Sequence, residues 1–356
     1  MKSPYVSDLQ PNQVITATFL VHIKDVRQKK TGEPYLSLTL GDRTGEIDAK
    51  MWDNVGEVLE GFERDDFIKV KGLLQIYQNR PQLTIHKMVK VRDAEVDFTD
   101  YFPCSGREPE AMFAELKQVI SGIGSHHLRQ LLETFTADEP LMRMFKAAPA
   151  AKNVHHAFLG GLLEHVLSLC ALCKMIAPHY YNIDLDLVLT GAILHDIGKV
   201  AELTYERSFG YSAEGQLLGH IVIGLRMINN KMAAIPDFPP RLRTLVEHLI
   251  VSHHGELEYG SPKTPLFPEA MLLHHLDNLD SKMECMRAMI AKDRQPAGLW
   301  TAYNPSLERA VLKKLRFLDG EAVVETAERP AAPPEPPQPA QQASIFAEKL
   351  QQAWRK

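Results

Sequence analysis

The hydrophobic period of this chain changes once, near Gly106, and that change constrains its architecture more than any other feature. Upstream, apolar and polar residues alternate, as they do along a strand; downstream, apolar residues recur every three or four positions, as they do on a helix. In "YLSLTL", Leu36, Leu38 and Leu40 share one face, with Ser37 and Thr39 on the other. In "EIDAKMW", Ile47, Ala49 and Met51 oppose Asp48, Lys50 and Trp52. Both segments read as half-buried strands. "FIKVKGLLQIY" and "QLTIHKMVKV" continue the pattern, the second with Leu83, Ile85, Val89 and Val91 as its inward set. Glycine-bearing stretches, "KKTGEP" and "GDRTGE", supply the turns.

A short helix over residues 54–61 falls between the third and fourth of five strands, which is the plan of an OB-fold barrel. Beyond Gly106, "EPEAMFAELKQVI", "HHLRQLLETF" and "EPLMRMFKAA" are amphipathic, and helical periodicity runs to about Leu318. The fold class is therefore multidomain: an all-β OB-fold barrel over residues 10–98, a helical connector over 99–150 and an all-α bundle over 151–320. Residues 321–356 contain "ERPAAPPEPPQPAQQAS", too poor in apolar side chains to pack, and are expected to form a disordered tail. The tail ends in the amphipathic "IFAEKLQQAWRK", which reads as a frayed helix or as a docking peptide for a protein partner.

No basic and apolar leader opens the chain and no uninterrupted apolar stretch of spanning length stands out, so the expected location is the cytoplasm, without a membrane. Four cysteines in 356 residues make no disulfide framework. Cys170 and Cys173 form a lone CxxC inside a periodic helix and read as core thiols. A net charge of -5 excludes a generally basic nucleic-acid coat, so any polyanion site must be local.

Of 15 histidines, 11 fall between His155 and His275. One histidine on an apolar helix face is usually a satisfied core residue, but several on successive helices need partners that a shared cation supplies at once. His165 shares a face with Leu162, Leu169 and Leu172. His195 and Asp196 close the apolar run "GAILHDIGKV", with Gly198 expected to stop the helix. His220 enters another apolar helix, and His253 continues the stripe of Val246 and Leu249, with His254 beside it and Gly255 after it. Asp277 and Asp280 lie on a face otherwise held by Leu273 and Leu276. The candidate ligands are His165, His195, Asp196, His220, His253, His254 and Asp277, with Asp280 as an outer carboxylate. Imidazole and carboxylate donors without thiolate suit manganese first, with iron, cobalt, nickel, magnesium or zinc as alternatives. Seven donors fit two ions bridged by Asp196. Lys199 is placed to meet a phosphate oxygen, or merely to favour the helix dipole. His155 and His156 read as lining a substrate mouth or as structural, and His248, His274 and His275 as outer or surface residues.

His165, the doublet His195-Asp196 and Asp277 resemble the H...HD...D signature of the HD-domain metal-dependent phosphohydrolases, an α-helical superfamily. His220 and the His253-His254 pair resemble the additional histidines of its two-metal members. With an N-terminal barrel, "HHAFLGGLLEH", "LHDIGK", "SHHG" and "LDNLD" together look like the YhaM-type 3'-to-5' exoribonuclease family over about residues 10–318. The resemblance implies metal-dependent removal of nucleotides from the 3' end of single-stranded RNA, or single-stranded DNA, with metal-activated water as nucleophile. On the barrel, Lys29, Lys30, Tyr35, Arg43, Lys50, Trp52, Tyr77 and Arg80 are candidates for stacking bases and tracking the backbone. Over residues 1–98, 14 Lys plus Arg against 15 Asp plus Glu give 14 − 15 = −1, so such binding rests on a local patch. Two rivals remain: hydrolysis of nucleotides or cyclic dinucleotides, although "ELEYGSPK" replaces the GYP segment of the cyclic-dinucleotide branch, and a nonenzymatic nucleic-acid binder with a structural metal.

Overall fold

The computed structural model describes residues 2–77, 80–152, 156–205, 210–291, 293 and 298–319. His155, the side chain of Arg80 and the expected disordered tail lie outside the described residues. Strands β1 (Val14–Gln28), β2 (Pro34–Asp42), β3 (Gly45–Met51), β4 (Phe67–Tyr77) and β5 (Arg80–Val91) close into a barrel in the order β1-β2-β3-β5-β4. A single turn, α1 (Val55–Val58), lies between β3 and β4. Only β3 and β5 run parallel; the other pairs are antiparallel. Closure pairs each of the five barrel strands with two neighbours among the described residues, the device that removes sheet edges.

The predicted inward leucines of β2, and Ile47, Ala49 and Met51 of β3, fill the barrel core. Val89 does not: it is 61% exposed, and Met88 packs against the core instead. Lys71 pairs with Lys87 and Gly72 with Ile85, so His86 is an extra residue on β5. A bulge of one residue turns every later side chain to the opposite face, which strict alternation cannot foresee.

The remaining chain builds α2 (Pro109–Ser121), α3 (His126–Thr136), α4 (Glu139–Ala147), α5 (Gly161–Ile176), α6 (Leu185–Leu194) and α7 (Lys199–Glu202). A two-residue ribbon, β6 (Leu203–Thr204) with β7 (Gly210–Tyr211), precedes α8 (Ala213–Ala233), α9 (Pro240–Ser252), α10 (Pro268–Ala291) and α11 (Lys314–Leu318). Polar side chains satisfy several first turns: Glu108 accepts from the Ala111 amide, Asp138 from Leu141, Asp184 from Leu187 and Ser212 from Gly215. One hydrophobic core runs from Met112 of α2 to Leu276 of α10, so the connector helices pack into the same interior as the bundle.

At the centre of that core lies α5. Gly161–His179, with a mean hydropathy of 1.4, is long and apolar enough to cross a membrane by length and composition, against the expectation of no such stretch. Its apolar surface is taken up by neighbouring helices, with Leu162, Leu163, Val166 and Leu169 all in the core. Cys170 and Cys173 are core residues as expected, and burial pushes their thiols up, that of Cys173 to about 12. The expected helical run to Leu318 is interrupted between α10, which ends at Ala291, and α11. Residues around Pro305 instead form isolated bridges, Trp300 with Leu312 and Asn304 with Arg309. A proline cannot donate its amide to a helix and disfavours the helical conformation of the residue before it.

Candidate metal centre

Five chain segments bring the candidate ligands together. His165 projects from the inward face of α5, and α6 ends at Leu194 so that His195 caps it and Asp196 follows in a turn. Gly198 does not close this helix by a left-handed cap; its φ is −65°. A Cβ there would instead collide with the His220 carbonyl and lie 2.6 Å from the Gly224 nitrogen, so the glycine lets α8 approach the HD turn. A kink at Gly219 (φ 69°) introduces His220 within α8. His253 caps α9, His254 follows, and Gly255 (φ +80°) ends the segment as expected. Asp277 and Asp280 come from α10.

Asp196 lies between two histidine sets. Its Oδ2 is 3.2 Å from His195 Nε2 and 4.0 Å from His165 Nε2. Its Oδ1 is 3.4 Å from His220 Nε2 and 3.8 Å from His253 Nε2. On the first side, Asp277 Oδ1 is 3.2 Å from His165 Nε2 and 3.8 Å from His195 Nε2. Donor atoms of His165, His195 and Asp277 lie within 4.8 Å of one another, as do those of His220, His253 and His254. All seven predicted ligands therefore converge, in two groups joined by one carboxylate.

Each histidine is anchored by the nitrogen that faces away. Nδ1 of His195 donates to the Ala192 carbonyl at 3.0 Å, that of His253 to Ile250 at 2.7 Å and that of His254 to Tyr259 at 2.7 Å. His165 Nδ1 donates to Asp280 at 2.8 Å and His220 Nδ1 to Glu202 at 3.2 Å. Carbonyls and carboxylates only accept, so each Nδ1 carries the proton. His165 Nε2 and His195 Nε2 face each other at 3.3 Å, an arrangement that needs positive charge between them, whether a proton or a cation. Asp196 Oδ1, His220 Nε2 and His253 Nε2 are buried and have no hydrogen-bond partner among the described residues. These donors fit divalent cations.

The electrostatics agree. Burial would raise the Asp196 carboxyl, but Lys199 and the neighbouring imidazoles outweigh it and hold the group well below the usual range. Asp277 is likewise buried yet held low by His165 and His195. Burial opposes charging His165, but Asp277 and Asp280 prevail and raise its pKa to about 9. His253 is lowered by burial and by its imidazole neighbours, and stays neutral with a lone pair to offer. The pocket thus keeps two carboxylates ionised in a largely buried interior, with Lys199 and the neighbouring imidazoles as the positive groups the protein itself supplies.

Lys199 Nζ lies 2.6 Å from Asp196 Oδ2 and lines a cavity of about 660 Å³, whose walls include His254, Asp277, Lys282 and Arg309. Asp280 is an outer carboxylate: besides His165 it accepts from Ser168 Oγ at 2.5 Å and His156 Nε2 at 3.3 Å. His156 is buried there and lines a separate cavity of about 770 Å³ rather than the mouth above Asp277. His274 is buried and donates to the His253 carbonyl at 3.0 Å; His248 accepts from the Leu266 amide at 3.1 Å, and His275 is exposed. Glu202, Ser168 and Tyr259 escaped sequence reasoning. Glu202 stands on a four-residue helix, too short for a period to mark its inward face.

On the barrel, Tyr35 stacks on Trp52 with ring centroids 4.6 Å apart, and Lys50 Nζ lies 5.4 Å from the Trp52 ring and 5.7 Å from the Tyr77 ring. Lys50 and Tyr77 line a groove of about 620 Å³ that also takes Arg27, beside Tyr35 in the β1–β2 register. Lys29 pairs with Glu33 and Asp53, and Lys30 is exposed in the adjoining turn. Arg43 is not part of this surface: it follows the far end of β2, about 26 Å along an extended strand from Tyr35, and packs 4.6 Å over the Tyr5 ring.

Residues 162–282 match the family model described as HD domain. The helical part contains an HD domain. That span holds all seven ligand candidates of the convergent centre. Residues 21–91 match the model described as OB-fold nucleic acid binding domain. Among solved structures, the chain is similar to the second OB-fold domain of replication protein A from Methanococcus maripaludis, at 21% identity over 25% of this chain and 94% of that one, with a TM-score of 0.21. It is similar to the SSB domain of a Synechococcus protein at 15% identity, over 23% of this chain and 96% of that one, with a TM-score of 0.20. A replication protein A heterotrimer bound to ssDNA is similar at 22% identity, over 25% of each chain, with a TM-score of 0.22.

Proposed function

We propose that this protein is a metal-dependent 3'-to-5' exoribonuclease that hydrolyses phosphodiester bonds of single-stranded RNA, and of single-stranded DNA as a secondary substrate. The observation that carries the reading is Asp196, whose two oxygens face two separate sets of histidines. His165, His195, Asp196 and Asp277 would hold one ion, and Asp196, His220, His253 and His254 the other. The donor set favours manganese. When bound, such ions lower the pKa of water and offset charge on phosphoryl oxygens. The protein's own groups do the rest. Backbone carbonyls and the carboxylates of Asp280 and Glu202 hold the imidazoles in one tautomer, aimed inward. The leucines around His165 and His195 exclude bulk water, which strengthens every charge interaction inside. Lys199, charged and beside Asp196, is placed to hold a non-bridging phosphate oxygen.

In this reading residues 10–98 form the nucleic-acid-binding domain, 99–150 the connector and 151–320 the hydrolase domain. The stacked Tyr35–Trp52 pair, with Lys50 beside it, presents an aromatic surface suited to unpaired bases, while Arg27 in the adjoining groove is paired with Asp25, and Asp48 lines the same groove. The direction of digestion follows the resemblance to YhaM-type enzymes. The test is incubation of the full chain and Mn²⁺ with 5'-labelled single-stranded RNA, beside mononucleotides and cyclic dinucleotides. We expect a ladder that shortens from the 3' end and is abolished by Asp196→Ala. Binding without shortening, or turnover of the small substrates alone, would overturn the reading.

A further inference from the structure

One wall of the 660 Å³ cavity above the centre comes from Pro305–Arg309, beyond the residues that match the HD domain model. This wall is pinned in place. Thr301 donates its amide to the Val311 carbonyl at 2.9 Å and Asn304 donates to Arg309 at 3.0 Å, while Asn304 Oδ1 accepts from the Ser306 and Leu307 amides at 2.8 and 3.2 Å. Arg309 Nε donates to the Leu307 carbonyl at 2.7 Å, which fixes the guanidinium plane and leaves its two terminal amino groups for another acceptor. Across the cavity, Lys282 lies on α10 five residues past Asp277, about 7.5 Å along the helix axis at 1.5 Å per residue.

Neither Lys282 nor Arg309 makes an ion pair among the described residues. Glu308 lines the same wall, so the charge is not uniformly positive; unpaired cations still attract anions, and a planar guanidinium suits phosphate oxygens. Lys199 already stands beside Asp196 to meet the phosphate at the centre. Two further cations displaced from it would be superfluous for a mononucleotide, but they suit a chain that continues past the bond being cut. We infer that this cavity is the channel for the polynucleotide on the 5' side of the scissile bond, with Lys282 and Arg309 each holding one backbone phosphate. The inference rests on the exonuclease reading and specifies how the substrate class is selected: the wall favours a chain over a single nucleotide.

The test uses the full chain with Mn²⁺ and a 5'-labelled 12-nucleotide single-stranded RNA. In the K282Q/R309Q variant, KM is expected to rise about tenfold with kcat within about twofold. The plot of log(kcat/KM) against log[salt] becomes shallower by about 1.4, two phosphate contacts at about 0.7 each. K282R/R309K restores the slope, which a merely structural role would not predict. A K282Q/R309Q enzyme with wild-type KM and salt slope, alongside a wild type that shortens RNA, overturns this inference alone. A wild type that leaves RNA intact yet hydrolyses bis(p-nitrophenyl) phosphate overturns this inference and the exonuclease reading together.

Discussion

Glu202 accepts from the His220 backbone amide at 2.9 Å and from its Nδ1 at 3.2 Å, so one carboxylate oxygen fixes both the position and the tautomer of a candidate ligand. Burial would raise the Glu202 carboxyl, but these bonds keep it below the usual range, as an anion behind the imidazole. Groups that orient a ligand in this way typically contribute 10- to 100-fold to metal affinity. Glu202→Gln keeps the shape and removes the charge. We expect roughly that loss for the ion beside His220 only, seen by calorimetric titration with Mn²⁺ as one tight and one weakened site per chain. Two unchanged sites would show that Glu202 is a bystander. At this scale the centre was largely legible in sequence, because histidine and aspartate on otherwise apolar stripes carry a burial cost that demands a partner. Glu202 was not legible, since its helix spans only Lys199–Glu202. Arg43 was misplaced because strand position alone does not say which end of a barrel a side chain serves.

Elements carry the ligands to one point through close backbone approach, and the HD turn shows how little tolerance there is. Gly198 packs its α-carbon against the turn of α8 that holds His220, leaving no room for a methyl group. Gly198→Ala must push α8 away from the Asp196 turn, an overpacking cost of about 1–3 kcal/mol. We expect a drop of several degrees in Tm together with weakened Mn²⁺ binding, because the two ligands separate as the helices move. Gly106→Ala is the control: nothing lies within 4 Å of a Cβ there, so Tm and metal affinity should hold. Loss of Tm without loss of metal affinity would mean that the approach is structural only. The strand and helix periods showed which elements exist. They did not show the extra residue at His86 that turns Val89 outward, nor the interruption around Pro305, because both depend on how one segment pairs with another.

At the scale of the molecule, the described residues form two large hydrophobic cores, one inside the barrel and one among the helices, joined by a small third cluster. Leu20 and Phe67 on the barrel meet Tyr101 and Phe102 of the linking segment, and Leu159 from the helical part packs against them. Leu159 also donates to the Pro103 carbonyl at 2.8 Å and accepts from the Ser105 amide at 2.9 Å, a short ladder that ties the joint. Tyr101 titrates at this junction beside Asp100, with Lys2 Nζ 5.5 Å from its ring centroid. Burial raises its phenol to about 12, opposed by a hydrogen bond with Thr18 and helped by the nearby charges of Asp100 and Asp42. An unfolded tyrosine titrates near 10. Because the folded value is the higher one, the neutral phenol's contribution is fully present below about pH 10 and is lost as pH rises from there through about 12. The wild type should therefore lose urea resistance more steeply than Tyr101→Phe across that window, whereas below pH 10 the two curves should run parallel, offset by the Thr18 bond. Tyrosines and lysines away from this joint titrate in both proteins and cancel in the comparison, and repeating it in a Lys2→Met background removes the lysine that packs over the Tyr101 ring. Parallel curves throughout would mean that the phenol reaches water without the joint opening. A gap that changes only in the alkaline window would mean that ionising this one side chain loosens the contact that holds the barrel against the helical part.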